Sequence, residues 1–163
     1  MPIEMNGFDG FIEALNNIGK NLEKNLDKAC ERTAEIVRTY TVKGIRDQSF
    51  NFAPLSPKYA ERKKALGGGN KILISGKRAA KGSTPSQHYV NSFAVEKLQP
   101  CEYLVGSNFP QAAALENGWE VETKTGSVSI PARPHLEPAL KKTMDVNFGE
   151  EIMQAMEDSI RDR

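Results

Sequence analysis

The stretch FDGFIEALNNIGKNLEKNLDKACERTAEIVRTYTVKGIRD, residues 8–47, decides the fold. Phe8, Phe11, Leu15, Ile18, Leu22, Leu26, Ala29, Ile36 and Tyr40, with Thr33 filling a gap, recur at helical spacing. At about 100° per residue they fall within an arc of roughly 80°, the signature of an amphipathic helix. No proline interrupts it, and Gly19 marks the expected place for any kink. Forty residues of helix span about 60 Å at ~1.5 Å each. A compact domain of this chain length has a radius of gyration of roughly 15 Å. The helix is therefore longer than the body that should cover it, so either it breaks or its free end packs on another chain.

The polar side of the helix carries two charge rows. Lys20, Lys24, Lys28 and Arg32 form one, and Glu23, Asp27, Glu31 and Glu35 form its neighbour. Like charges at i,i+4 repel by a few tenths of a kcal/mol, while opposite charges at i,i+3 offset this. The rows read either as a solvated face or as an assembly interface in which an acidic row meets a neighbour's basic row, a heterologous contact.

Downstream, NFAPLSPKYAERKK gives two prolines and then a short helical stretch, followed by three glycines at 67–69. Between 58 and 81 lie Lys58, Arg62, Lys63, Lys64, Lys71, Lys77, Arg78 and Lys81 against Glu61 alone, a net +7. GKRAAKGSTPSQH (76–88) has almost no large apolar side chain to offset ordering entropy. Residues 64–88 are thus expected to form a flexible basic loop around a short apolar strand, Ile72–Ile74. Lys63, Lys64, Lys71, Lys77, Arg78 and Lys81 are its candidate contacts to DNA phosphates or to an acidic partner surface. With Tyr59 the only aromatic there, no sequence-reading motif is present.

Residues 89–106 alternate as a hairpin turning at Gln99–Pro100, PQAAALEN (110–117) reads as a short helix closed by Gly118, and WEVETK and SVSIPAR flank Thr125–Gly126 as a second hairpin. From Leu136 onward Leu140, Met144, Phe148, Ile152, Met156 and Ile160 recur every four residues. That step drifts by roughly 40° each time around a 3.6-residue helix, so a bend is expected near Asn147–Gly149. The tail from Met144 holds six acids against two arginines. These patterns predict one α+β domain over 1–163: the long helix packed on a twisted antiparallel sheet of about four strands, a short helix and a C-terminal helix.

Composition narrows the function. The chain has 163 residues, a net charge of +1, 39% hydrophobic residues and two cysteines, Cys30 and Cys101. It holds no apolar run of ~18 residues, and its first residues lack the basic-then-apolar order of a secretory signal. Two cysteines make no disulfide framework and, with two histidines, a poor metal inventory; both thiols read as inert. The sequence contains no G-x-S-x-G, H-E-x-x-H or C-x-x-C, and GGGNK lacks the spacing of a phosphate loop. Nothing in the sequence places a nucleophile or carboxylate beside His88 or His135, and Glu116 and Glu120, separated by Gly118, do not make an acid/base pair. No enzyme, no cofactor and no membrane segment is expected.

AAALENGW (112–119), a hairpin, and PARPHLEPALKKTMD (131–145) resemble the tail-completion or neck proteins of tailed bacteriophages. Those proteins read as A-x-x-x-E-x-G, a hairpin, ARPFLxPAL and a closing helix. Ala132, Arg133, Pro134, Leu136, Pro138, Ala139 and Leu140 match, with His135 in place of the usual aromatic. APLSPKYAERKK with ILISGK, and YVNSFAVE with YLVGS, are similar to further stretches of phage morphogenesis proteins, although residues 77–88 here separate the Ser-Gly from the first strand.

The resemblance implies a structural virion protein, one subunit of a ring, expected to be a hexamer, at the neck or head-proximal tail end, made in the host bacterial cytoplasm. Its partners would be further copies of itself and adjacent head-closure, tail-terminator or tail-tube proteins, with non-specific DNA contact through the basic loop. Three prolines at 131–138 stiffen the exit from the sheet. Arg133, Pro134 and His135 join the two charge rows as candidate assembly residues, with Glu116 a candidate carboxylate for the Arg133 guanidinium. Two alternatives remain: another tail or connector component such as a tail terminator, and a cytoplasmic nucleic-acid-binding module using the 58–81 patch.

Overall fold

The computed structural model describes residues 8–65, 69–74, 89–123 and 126–161. Helix α1 runs without a break from Asp9 to Asp47. A short helix α2 (Pro57–Ala65) follows, then a 3-10 turn at Tyr89–Asn91, strands β1 (Phe93–Gln99) and β2 (Glu102–Ser107), and helix α3 (Ala112–Asn117). Strands β3 (Trp119–Thr123) and β4 (Gly126–Ile130) lead to helix α4 (Leu136–Thr143), a π turn at Met144–Phe148, and helix α5 (Gly149–Arg161). The class is α+β, as the sequence predicts. The four strands, however, form two separate antiparallel hairpins, β1 with β2 and β3 with β4, not one sheet.

Helix α1 is the spine, with the β1–β2 hairpin and the α4–α5 pair packed along it. The contact with α4 and α5 is built from small side chains. On α1 the buried line is Asn25, Ala29, Thr33, Val37, Thr41 and Ile45, a step of four. Ala139, Thr143, Ala155 and Ser159 are the buried residues facing it. The hydroxyls of Thr33, Thr41, Thr143 and Ser159 each donate to the carbonyl four residues back, at 2.6–2.9 Å. Their polar atoms are thereby satisfied within the helix, and only small apolar surface is presented across it. Asn25 crosses the interface to Ser159 Oγ at 3.1 Å, which fixes the antiparallel register.

The π turn explains how a four-residue repeat stays on one face. It takes about one residue more than an α turn and so removes part of the accumulated drift. It falls at Met144–Phe148, where the sequence predicts a bend. Tyr40 donates to Asn147 Oδ1 at 3.2 Å beside it, with the Lys142 ammonium 4.6 Å from the Tyr40 ring centroid.

The aromatic core sits at the C-terminal end of α1. Ile45, Tyr89, Val90 and Phe93 are buried there, with Phe50, Phe52, Phe109 and Leu115 packed around them. Gln48 closes α1 in a left-handed conformation at φ 57°. The chain then folds back so tightly that a Cβ on Gly44 would lie 2.2 Å from the Phe50 ring. Ile72–Ile74 is a turn with Leu73 at φ 60°, not the expected strand. The Gln48 side-chain amide takes the place of a strand partner there, accepting from Ile72 N–H at 2.6 Å and donating to Ile72 O at 3.0 Å.

Candidate functional site

The motif residues 112–145 converge on one buried hub. Glu116 leaves α3 and places its carboxylate at the start of α4, where it accepts the backbone N–H groups of His135, Leu136 and Glu137 at 3.1–3.3 Å. These are amides that a helix N-terminus cannot satisfy internally, so a residue from another helix caps α4. The same carboxylate lies 2.8 Å from His135 Nδ1. His135 is fully buried, and its Nε2 meets Tyr89 Oη at 2.5 Å. Burial, and then the Glu116 charge, push the Tyr89 hydroxyl well above its ordinary value. The Tyr89 hydroxyl and Nε2 thus share one hydrogen bond, while Nδ1 lies between Glu116 and the Arg133 carbonyl at 2.6 Å. Burial pushes the Glu116 carboxyl up, but His135 and the capping amides outweigh it, so its pKa lies below the ordinary value.

Arg133 faces the opposite way. Its guanidinium is buried and donates to the carbonyls of Ala53 (3.1 Å) and Pro54 (3.4 Å), while its own N–H bonds Leu115 O at 2.9 Å. The predicted carboxylate clamp is thus replaced. Glu116 serves His135 and α4, and Arg133 fastens the loop that precedes α2. Loop carbonyls unpaired in any helix or strand are what a buried five-donor guanidinium can satisfy. Gly118 completes the hub: at φ 78°, a Cβ there would lie 2.8 Å from Ala132 N. The A-x-x-x-E-x-G and ARPH patterns are therefore two halves of one packed unit. Of the expected surface trio, Arg133 and His135 lie inside and only Pro134 is exposed.

The charge rows of α1 also divide. Asp27 holds the tip of the β1–β2 hairpin through Lys97, the Cys101 N–H at 2.9 Å and Tyr103 Oη at 3.1 Å. Lys97 and the Cys101 amide hold the Asp27 carboxyl below its ordinary pKa. Arg32 pairs with Glu151 on α5 at 2.6 Å, and Glu35 with Arg38 at 2.7 Å. Lys20, Glu23, Lys24, Lys28 and Glu31 are exposed. In the basic segment, Lys63 is buried and donates to Lys71 O, and Lys71 Nζ donates to Arg46 O at 2.9 Å, near the C-terminal end of α1. Both cations thus fasten the chain to itself and are not free loop contacts; an ammonium beside backbone carbonyls at a helix C-terminus is well placed. Burial, then the Arg133 charge, lowers the Lys63 pKa. Lys64 is exposed, and Lys77, Arg78 and Lys81 lie outside the described residues.

The feature most open to a partner is the N-terminal end of α1, residues 9–17. Every residue from 8 to 17 is exposed, including Phe8 (54%), Phe11 (59%), Ile12 (52%) and Leu15 (51%). The first buried position is Asn25, beside Ser159 near the end of α5, and the hairpin tip ends at Asp27. The nine exposed residues from Asp9 to Asn17, about 13 Å of helix at ~1.5 Å per residue, are therefore uncovered by the described residues. Met144, Met153, Met156 and Ile160 on the α4–α5 side are also exposed. Among the described residues no helix is long and apolar enough to cross a membrane, and no cluster of three metal-ligating side chains occurs. No protein-family model, curated protein or solved structure matches this chain.

Proposed function

We propose that this protein is an assembly subunit that joins copies of itself through the projecting end of α1. On the sequence resemblance given above, its place is a ring at the head–tail junction or tail end of a tailed phage. The observation that carries the assembly reading is the projecting helix with Phe8, Phe11, Ile12 and Leu15 about half exposed. Each such side chain contributes roughly 1 kcal/mol when its remaining surface is covered, so one arm supplies on the order of 4 kcal/mol. That is too little for a tight one-arm contact and sufficient when every subunit both gives and receives an arm.

The buried hub suits the same role. Glu116, His135, Tyr89 and Arg133 join α3, α4, the 3-10 turn and the loop before α2 into one rigid body. A rigid body meets its neighbours in a fixed geometry, as a closed ring requires. The nucleic-acid alternative has fewer cations to draw on, since Lys63 and Lys71 serve the chain itself.

Light scattering across concentration and salt, with negative-stain images of any large species, tests this reading. Closed species of fixed copy number are the expected result. A monomer throughout, together with salt-dependent DNA binding lost on neutralising Lys64, Lys77, Arg78 and Lys81, would overturn it in favour of the nucleic-acid module.

A further inference from the structure

Cys30 and Cys101 are far apart in sequence and side by side in the fold. Cys30 lies half-buried on α1, one turn beyond Asp27. Asp27 holds the backbone N–H of Cys101 at 2.9 Å and Tyr103 Oη at 3.1 Å, so the hairpin tip is tied to that turn of the helix. That tie sets Cys101 beside the turn of α1 that carries Cys30, and makes the two thiols neighbours. Both thiols are free, and Cys101 is exposed.

The residue at 101 is also unexpected for its backbone. Cys101 follows Pro100 in the β1–β2 turn with φ 60°, a left-handed conformation that glycine or asparagine adopts more readily. A side chain kept there against local preference points to something the side chain does.

We propose that Cys30 and Cys101 form a dithiol site that closes to an intrachain disulfide with a small-molecule disulfide as oxidant, clamping the hairpin tip onto α1. Cys101, the exposed thiol, loses its proton and attacks one sulfur of oxidised glutathione. One glutathione thiolate leaves, and the other half stays bonded to the Cys101 sulfur. The Cys30 thiol then loses its proton and attacks that sulfur, expelling the second glutathione thiolate as the protein S–S bond forms. The two expelled thiolates take up the two protons. Two protein thiols are thereby oxidised and one small disulfide is reduced to two thiols. Burial, then the Cys101 and Asp27 charges, push the Cys30 thiol up, which fits its acting second. The site lies within one chain, so it stands whether or not the assembly reading holds.

The test is incubation of the native protein with graded ratios of oxidised to reduced glutathione, read by intact mass and peptide mapping. The expected product is a monomeric chain lighter by two hydrogen atoms, with the Cys30 and Cys101 peptides joined at a yield independent of protein concentration. Its thermal midpoint should rise by roughly 5–15 °C, the range for a bridge closing a long loop in a chain of this size. Cys30→Ser should stop at a stable glutathione adduct on Cys101, which reads the first step separately. Glutathione adducts that persist on the native wild-type protein without closure, or a disulfide that joins two chains, would overturn the proposal. So would closure that is no faster in native protein than in urea.

Discussion

At the scale of single residues, the informative positions are those where a side chain performs a task that its neighbours in sequence do not reveal. Glu116 is one. Its carboxylate caps α4 from another helix and bonds His135, so its folded pKa lies below the ordinary carboxylate value of 4.5. A lowered folded value means that the stabilisation is present above 4.5 and is lost as the pH falls through the folded value. Glu116→Gln should destabilise the chain at pH 7 by about 1–3 kcal/mol and flatten the acid limb of the stability curve, measured by urea unfolding between pH 7 and pH 2. Gly44 is another. Alanine there gains about 1 kcal/mol of helix propensity but drives its Cβ into the Phe50 ring. Because Phe50 is packed in the aromatic core, Gly44→Ala should be net destabilising by about 1–3 kcal/mol in the same measurement. The importance of Glu116 and Arg133 was legible in the motif. The partners of His135 and Arg133 were not, because Tyr89 and the carbonyls of Ala53 and Pro54 are local in neither sequence nor pattern.

At the scale of elements, periodicity located nearly everything and one helix face only in part: Ala29 and Thr33 of the expected stripe are buried, while Phe8, Phe11 and Leu15 are exposed. The helices at 9–47, 57–65, 112–117 and 136–161 and both hairpins stand where spacing and turn residues put them. The large apolar residues of α1 read as the core side, yet the buried line is Asn25, Ala29, Thr33, Val37, Thr41 and Ile45. Close helix packing selects small residues, and a hydroxyl that bonds its own helix four residues back behaves as one of them. Leu22, Leu26, Ile36 and Tyr40 flank this line half-buried. Ala29→Leu should therefore wedge α1 from α5, lowering stability by about 1–3 kcal/mol and changing the hydrogen-exchange protection of α5 more than that of the β1–β2 hairpin. The two hairpins did not merge into one sheet, and nothing local in a strand's sequence specifies which other strand it joins.

At the scale of the whole molecule, the length of α1 is the dominant fact. The sequence posed two outcomes, a break or an overhang, and the helix is continuous from Asp9 to Asp47 with residues 9–17 exposed. The most direct measurement is the solution mass of the wild-type chain beside that of a triple variant, Phe8→Ser, Phe11→Ser and Leu15→Ser. All three positions are exposed, so the variant monomer should keep the wild-type unfolding midpoint after the small helix-propensity change is allowed for. The account predicts a wild-type oligomer of fixed copy number and a variant that is monomeric at the same concentration. Identical masses for the two proteins, at every concentration and salt, would contradict it.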